Sequence, residues 1–455
     1  MAVELEGGGV DGFCPEGRKV DFQASAACQP RTITTGSTYL SSTLLTFSIS
    51  STGRLGARPP LSGVLSAPPE VWTFKSEHNV FFKIILRQLS HYLPPRYSAA
   101  VRTMEDRLAY EPPPSDARPG VQDYLIFFIG GNPGLISYYE PFLKTLHALL
   151  CSSSTTETAR FYVYGNSLAG FENQFLADGQ ESPDPLGLKD QIQNTENLIY
   201  HEITLYQKAN SSEDADTKVI LIGHSVGAYI LLEMIRQHRK RIEKGAEDFD
   251  LIGGILLFPT IVNIAKSPSG LVASTVLRIP HIAQILGAIA RFWANLIPNA
   301  ILYQMIKLIM RFPEHAARTT VRFVKSPMGV RQALYLAKEE MENITEDRWT
   351  DEVWGAATAP GTNVQDTANS NLIFYWGQGD LWVANRTRDD LIAARGHRAG
   401  KGSVAHLDKD WKPTMYVDED KIPHGFCIKH SETMAEWVSQ RVTEIIAVHK
   451  EESVI

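Results

Sequence analysis

A chain of 455 residues, 44% of them hydrophobic, holds enough apolar material for one large domain with an insertion, or for two domains. A net charge of -7 and a pI of about 6.0 argue against a nucleic-acid binder, which would carry a basic face. The four cysteines, Cys14, Cys28, Cys151 and Cys427, lie far apart with none of the short paired spacings of zinc or redox motifs, so a reducing compartment is expected, with no metal and no cofactor.

The first residues, "MAVELEGGGVDGF", are acidic and Gly-rich and lack the apolar core of a signal peptide. Residues 22–69 contain no Asp or Glu, are rich in Ser and Thr, and offer almost no periodic apolar face. Residues 1–70 are therefore expected to be a disordered, low-complexity extension, and 71–120 a lead-in segment and linker ending in "EPPPSDARPG".

From residue 121 the pattern changes. "DYLIFFIGG" is a continuous apolar run ending in Gly-Gly, as expected of a strand buried on both faces of a parallel sheet. Helical spacing follows in "SYYEPFLKTLHALLC", then a short strand "RFYVYGN" and a long helix "LKDQIQNTENLIYHEITLYQKA". The alternation repeats with "KVILIG" as strand, "AYILLEMIRQHRKRIEKG" as helix ending at Gly245, and "LIGGILLFP" as strand. Strands alternating with helices imply a mostly parallel, doubly wound α/β sheet with right-handed crossovers. The next strand, "NLIFYWGQGD", begins only at 371. Roughly 110 residues thus occupy a connection for which 10 to 12 suffice, and an inserted helical cap over 260–370 is the simplest explanation.

"LIGHSVGAY" places Ser225 between Gly223 and Gly227 at the carboxyl end of a strong strand and just before an amphipathic helix, the strand-turn-helix that a nucleophile elbow requires. A bare Gly-x-Ser-x-Gly match is a weak signal, and a turn serine explains it equally well; the flanking elements favour a nucleophile. A serine hydroxyl needs a histidine to take its proton, and the histidine needs a carboxylate to hold its tautomer. In this fold both follow the serine, the acid after a late strand and the base before the last helix. Asp380 ends "NLIFYWGQGD", and His424, in "KIPHGF", precedes the terminal helix "SETMAEWVSQRVTEIIAVH".

Competing carboxylates are weaker: Asp389 and Asp390 fall in a helix, and Asp418 and Asp420 stand too near His424 in sequence to end a strand of their own. Of the competing histidines, His406 lies in a Gly/Lys-rich loop and His430 on the terminal helix, while His224 takes a packing or supporting role beside Ser225. An oxyanion hole needs two main-chain N–H donors, expected from Val226 and from Asn132 in "IGGNPG", because Pro133 has no N–H.

With these residues the chain resembles the lipid-droplet-associated serine hydrolases, a family of α/β-hydrolases, over roughly 120–445. The matching stretches are "GGNPGLISYYEPF", "GLKDQI", "VILIGHSVGAY", "LLFPTIVNIAKSPSG" and "IPHGF". The resemblance implies an α/β-hydrolase domain over 121–455, Ser225, Asp380 and His424 as nucleophile, acid and base, and residence on lipid droplets and the cytoplasmic face of the endoplasmic reticulum. It departs at Gly130, where the family loop is expected to hold proline, and in the N-terminal extension.

From Leu251 to Pro313 there is no acidic residue, while Lys266, Arg278, Arg291, Lys307 and Arg311 are basic. Arg278, Pro280, Arg291 and Pro298 interrupt every window of the about 20 apolar residues that a spanning helix needs, so 271–312 is expected to form two or three short helices lying in a lipid interface. A cap packed on the core without membrane contact is the alternative. The expected activity is hydrolysis of a neutral-lipid ester, either a sterol ester or an acylglycerol. An acyltransferase using the same acyl-enzyme, or a low-turnover droplet scaffold, are the competing functions.

Overall fold

The apolar runs of the sequence become the middle of a sheet: β2 (Gln122–Ile129), β3 (Ala159–Asn166), β4 (Lys218–His224), β5 (Asp250–Leu257) and β6 (Asn371–Trp376). β4 is buried at every position, as a strand covered on both faces must be. The computed structural model describes residues 106–452 apart from 113–120, 153–158, 172–183, 211–216, 246–248, 352, 355–370 and 401–411. The extension 1–70, residues 71–105 of the lead-in segment and His406 lie outside the described residues.

Among the described residues the sheet has eight strands in the order β1-β3-β2-β4-β5-β6-β8-β7, with β1 at Arg107–Tyr110, β7 at His397–Ala399 and β8 at Thr414–Val417. All pairings are parallel except β1 with β3. The edge strand β1 falls inside the stretch read from sequence as lead-in and linker. Its alternation of exposed and half-buried residues is the mark of an edge, and four residues are too few to stand out.

Helices cover both faces. On one side α1 (Glu140–Ser152) packs against α10 (Ser431–Glu452), which reaches β5; on the other α2 (Leu188–Asn210) packs against α3 (Val226–Ile242), which lies on β4. A helix α9 (Asn385–Arg395) connects β6 to β7. The result is the doubly wound sheet of an α/β-hydrolase.

Among the described residues five helices stand between β5 and β6: α4 (Pro268–Leu277), α5 (Ile282–Leu296), α6 (Asn299–Ile309), α7 (Glu314–Lys325) and α8 (Gly329–Asn343). α5 packs on α8 and α7, α6 packs on α7, and α7 meets the 3-10 turn Ile136–Tyr139. The breaks fall where the prolines require: Pro280 lies between α4 and α5, and Pro298 between α5 and α6. Among the described residues no single helix is long and apolar enough to cross a membrane; α4 and α5 reach that length and composition only when taken together, and the chain bends by 96° between them.

The outer faces of α5 and α6 remain apolar. Ile285, Ile289, Phe292 and Leu296 on α5, and Ile301, Met305 and Leu308 on α6, recur at helical spacing and are all exposed. Trp293 is 61% exposed and Ile309 74% exposed. Arg278, Arg291, Lys307 and Arg311 are exposed around them.

Candidate active site

β4 delivers Ser225 at the sheet's carboxyl edge and α3 leaves immediately from it, so the backbone must reverse within one residue. Ser225 takes φ 56° and ψ -123°, a region that costs a residue with a side chain about 1–3 kcal/mol. The glycines make the reversal possible. A Cβ at Gly227 would lie 2.2 Å from the main-chain oxygen of Ile129, and one at Gly223 would lie 2.6 Å from that of Gly227.

Three distant segments meet at this turn. His424 Nε2 stands 2.9 Å from Ser225 Oγ, and His424 Nδ1 stands 2.7 Å from Asp380 Oδ2. The other Asp380 oxygen accepts the Trp382 N–H at 2.8 Å, so the carboxylate is fixed at both ends. A carboxylate only accepts; the Nδ1 proton therefore points to Asp380, and Nε2 of the neutral ring is free to accept the serine proton. The Asp380 side chain is 1% exposed and that of His424 17%, while Ser225 is 7% exposed. Arg388 of α9, itself buried, donates to the main-chain oxygen of Gly377 and braces the turn that carries Asp380.

The loop after β2 runs directly against the serine: a Cβ at Gly131 would come within 2.8 Å of Ser225 Cβ. The Gly131 N–H donates to Tyr139 Oη at 3.0 Å and Pro133 has no N–H, so of these three consecutive residues Asn132 is the one whose main-chain N–H stays open to a ligand. Val226 opens α3, where the first N–H groups have no partner inside the helix. Sequence reasoning had both residues facing a developing oxyanion.

A buried polar chain ties this loop to the histidine loop. His224 Nε2 meets the main-chain oxygen of His424 at 2.9 Å, and His224 Nδ1 meets Tyr139 Oη at 2.7 Å. The carbonyl can only accept, so Nε2 of His224 carries the proton. Burial, and then the neighbouring His424, hold His224 well below the usual histidine range, so its ring is neutral and Nδ1 accepts the tyrosine proton. The polarity therefore runs one way, from Gly131 N–H to Tyr139, from Tyr139 to His224, and from His224 to His424.

The sequence profile of lipid-droplet associated hydrolases matches residues 122–427. The chain belongs to that family. It is 27% identical to the chicken (Gallus gallus) lipid droplet-associated hydrolase over 59% of this chain and 73% of that one. It is also 27% identical to the mouse (Mus musculus) protein over 70% and 85% of the two chains, and to the Drosophila melanogaster protein over 68% and 86%. Among solved structures it is similar to the peroxisomal α/β-hydrolase Lpx1 of Saccharomyces cerevisiae, with 12% identity and a TM-score of 0.46, covering 74% of this chain and 81% of that one. Membership of that family makes the chain a hydrolase. The profile ends at 427 and so takes in Ser225, Asp380 and His424 but not α10.

Two sequence readings need correction. Asp418 does end a strand, the four-residue β8, which is too short to be seen from its apolar pattern. Its carboxylate is committed elsewhere, accepting from Tyr375 Oη and from the N–H groups of Asp420 and Ile422, and so shapes the loop that carries His424. His430 lies one residue before α10 rather than on it, where its carbonyl accepts the Met434 N–H. Asp389 and Asp390 are on a helix as expected. Sequence reasoning missed Tyr139 and Arg388, because a tyrosine on a 3-10 turn and an arginine on a helix carry no motif. Among the described residues no cluster of His, Cys, Asp or Glu is arranged to hold a metal ion.

Proposed function

We propose that this chain is a lipid-droplet-associated carboxylic ester hydrolase acting on a neutral lipid, a sterol ester or an acylglycerol, with a role in lipid storage and turnover. The reading rests above all on His424 bridging Ser225 and Asp380 at 2.9 and 2.7 Å. Ser225 Oγ attacks the ester carbonyl as its proton passes to His424 Nε2, and Asp380 stabilises the resulting imidazolium. The main-chain N–H groups of Asn132 and Val226 receive the oxyanion. The alcohol leaves with the proton from His424, giving an acyl-Ser225 ester. Water then attacks that ester, giving its proton to His424, and the acid departs as the proton returns to Ser225.

The choice of a lipid ester draws on the relatives, which are named as lipid droplet-associated hydrolases, and on the apolar outer faces of α5 and α6. Residues 271–312 would lie on the monolayer of a lipid droplet or on the cytoplasmic face of the endoplasmic reticulum, with Phe292, Trp293 and Leu308 in the acyl layer and Arg291 and Lys307 at the headgroups.

Purified enzyme given emulsions of a sterol ester and of a triacylglycerol should release fatty acid from at least one, and Ser225→Ala should release none. Equal release by both forms would remove the proposed chemistry. Deleting 271–312 should disperse a fluorescent fusion from droplets; targeting that survives the deletion would sink the interface part of the proposal.

A further inference from the structure

One buried carboxyl close to the site has no part in the mechanism above. Glu340 lies on the cap helix α8 and is 4% exposed. Its Oε1 accepts from Asn132 Nδ2 at 2.9 Å, and the other Nδ2 hydrogen goes to the main-chain oxygen of Ala333, also on α8, at 2.9 Å. Asn132 Oδ1 is buried with no donor. The amide cannot turn over to satisfy that oxygen, because it would then face the Ala333 carbonyl with another acceptor.

The orientation of Asn132 is therefore set by α8 and not by its own loop. Its main chain lies between Gly131, packed on Ser225, and Pro133, which has no freedom in φ. Fixing the side chain at two points on a rigid helix fixes the peptide N–H between them.

We propose that Glu340 is a positioning residue, which through its hydrogen bond to the Asn132 side chain holds the Asn132 N–H where the oxyanion develops. The inference rests on the proposed hydrolase reading and adds the cap to it as a working part: α8 completes the oxyanion loop as well as covering it. Burial holds the Glu340 carboxyl up at about 7, yet neither of its protonation states removes an oxygen able to accept from Asn132. The acceptor, rather than the charge, does the positioning.

The test uses the purified full chain and a soluble p-nitrophenyl ester, with kcat and KM measured separately. Glu340→Met keeps the volume and loses the acceptor; Glu340→Gln keeps both. Glu340→Met should lower kcat by roughly 10- to 100-fold, with KM within about twofold, the size of effect expected when an oxyanion donor is displaced rather than deleted. Glu340→Gln should stay within about threefold of wild type in kcat. Equal loss in both variants, unchanged kcat in Glu340→Met, or a change confined to KM would overturn the inference. If Glu340→Met does not accumulate as folded protein, Asn132→Ala removes the same bond from its other end and is read in the same way. Ser225→Ala separates the two levels: turnover that persists in it defeats the hydrolase reading itself, whereas turnover lost in it but untouched in Glu340→Met defeats only the role of Glu340.

Discussion

His224 and His424 are joined directly, the ring Nε2 of the first donating to the main-chain oxygen of the second at 2.9 Å. The residue before the nucleophile thus holds the backbone of the residue that activates it, and through Tyr139 the same ring holds Gly131. One neutral imidazole ties together the serine turn, the histidine loop and the loop after β2.

Tyr139→Phe should show what that chain is worth. It removes one oxygen and leaves the Gly131 N–H and His224 Nδ1 buried without partners. A loss of about 1–3 kcal/mol in folding stability is expected, read from the denaturant midpoint. An unchanged midpoint would mean that the Tyr139 hydroxyl does not hold the Gly131 N–H and His224 Nδ1 as described.

Glu340 gives the stability a pH dependence of known sign. Its carboxyl titrates near 4.5 when unfolded and at about 7 in the buried site. Below pH 4.5 both states hold the proton and nothing is lost. Between 4.5 and 7 the unfolded chain ionises while the folded site does not, so stability falls as pH rises, by about 3 kcal/mol in all, and levels off above 7. Glu340→Gln lacks this loss. Denaturation at several pH values should find the stability gap between Gln variant and wild type widening in the variant's favour across that window; a constant gap would contradict the burial argument.

The backbone of Ser225 makes a different prediction. Its φ of 56° suits glycine, so Ser225→Gly relieves strain that Ser225→Ala retains. Both variants should be inactive, with Ser225→Gly more stable by about 1 kcal/mol. A Gly variant less stable than the Ala variant would show that the turn is not strained.

Trp293 reports on the outer face of α5, where it is 61% exposed and lies against the Phe292 ring. Adding a phospholipid-coated triacylglycerol emulsion should shift its emission to shorter wavelength, and Trp293→Phe should remove that component. Spectra unchanged at saturating emulsion would leave this face without a lipid role.

Much of this site can be read from the chain because its parts are local or punctuated. Ser225 sits inside a strand-turn-helix with glycines at fixed offsets, and Asp380 and His424 each follow or precede a strongly patterned element. The sheet's centre was legible for the same reason, its strands being long continuous apolar runs. Its short outer strands were not: β1 and β7 at the two edges, and β8 beside β7, have three or four residues each and owe their conformation to the neighbours they pair with. Tyr139, Glu340 and Arg388 were hidden for a related reason. Tyr139 and Glu340 act across the fold, and Glu340 meets Asn132 over 208 positions of sequence, a distance no local pattern encodes, while Arg388 acts nearby but carries no motif.

The most direct measurement is covalent. A fluorophosphonate is attacked at phosphorus, with loss of fluoride, only by a serine whose proton is being removed, so the adduct reports the Ser225–His424–Asp380 arrangement itself. Peptide mapping of the full-length protein should place one adduct on Ser225, with labelling abolished in Ser225→Ala and His424→Ala and retained in His406→Ala. Folded protein that takes up no label, or label that persists in His424→Ala, would contradict the assignment.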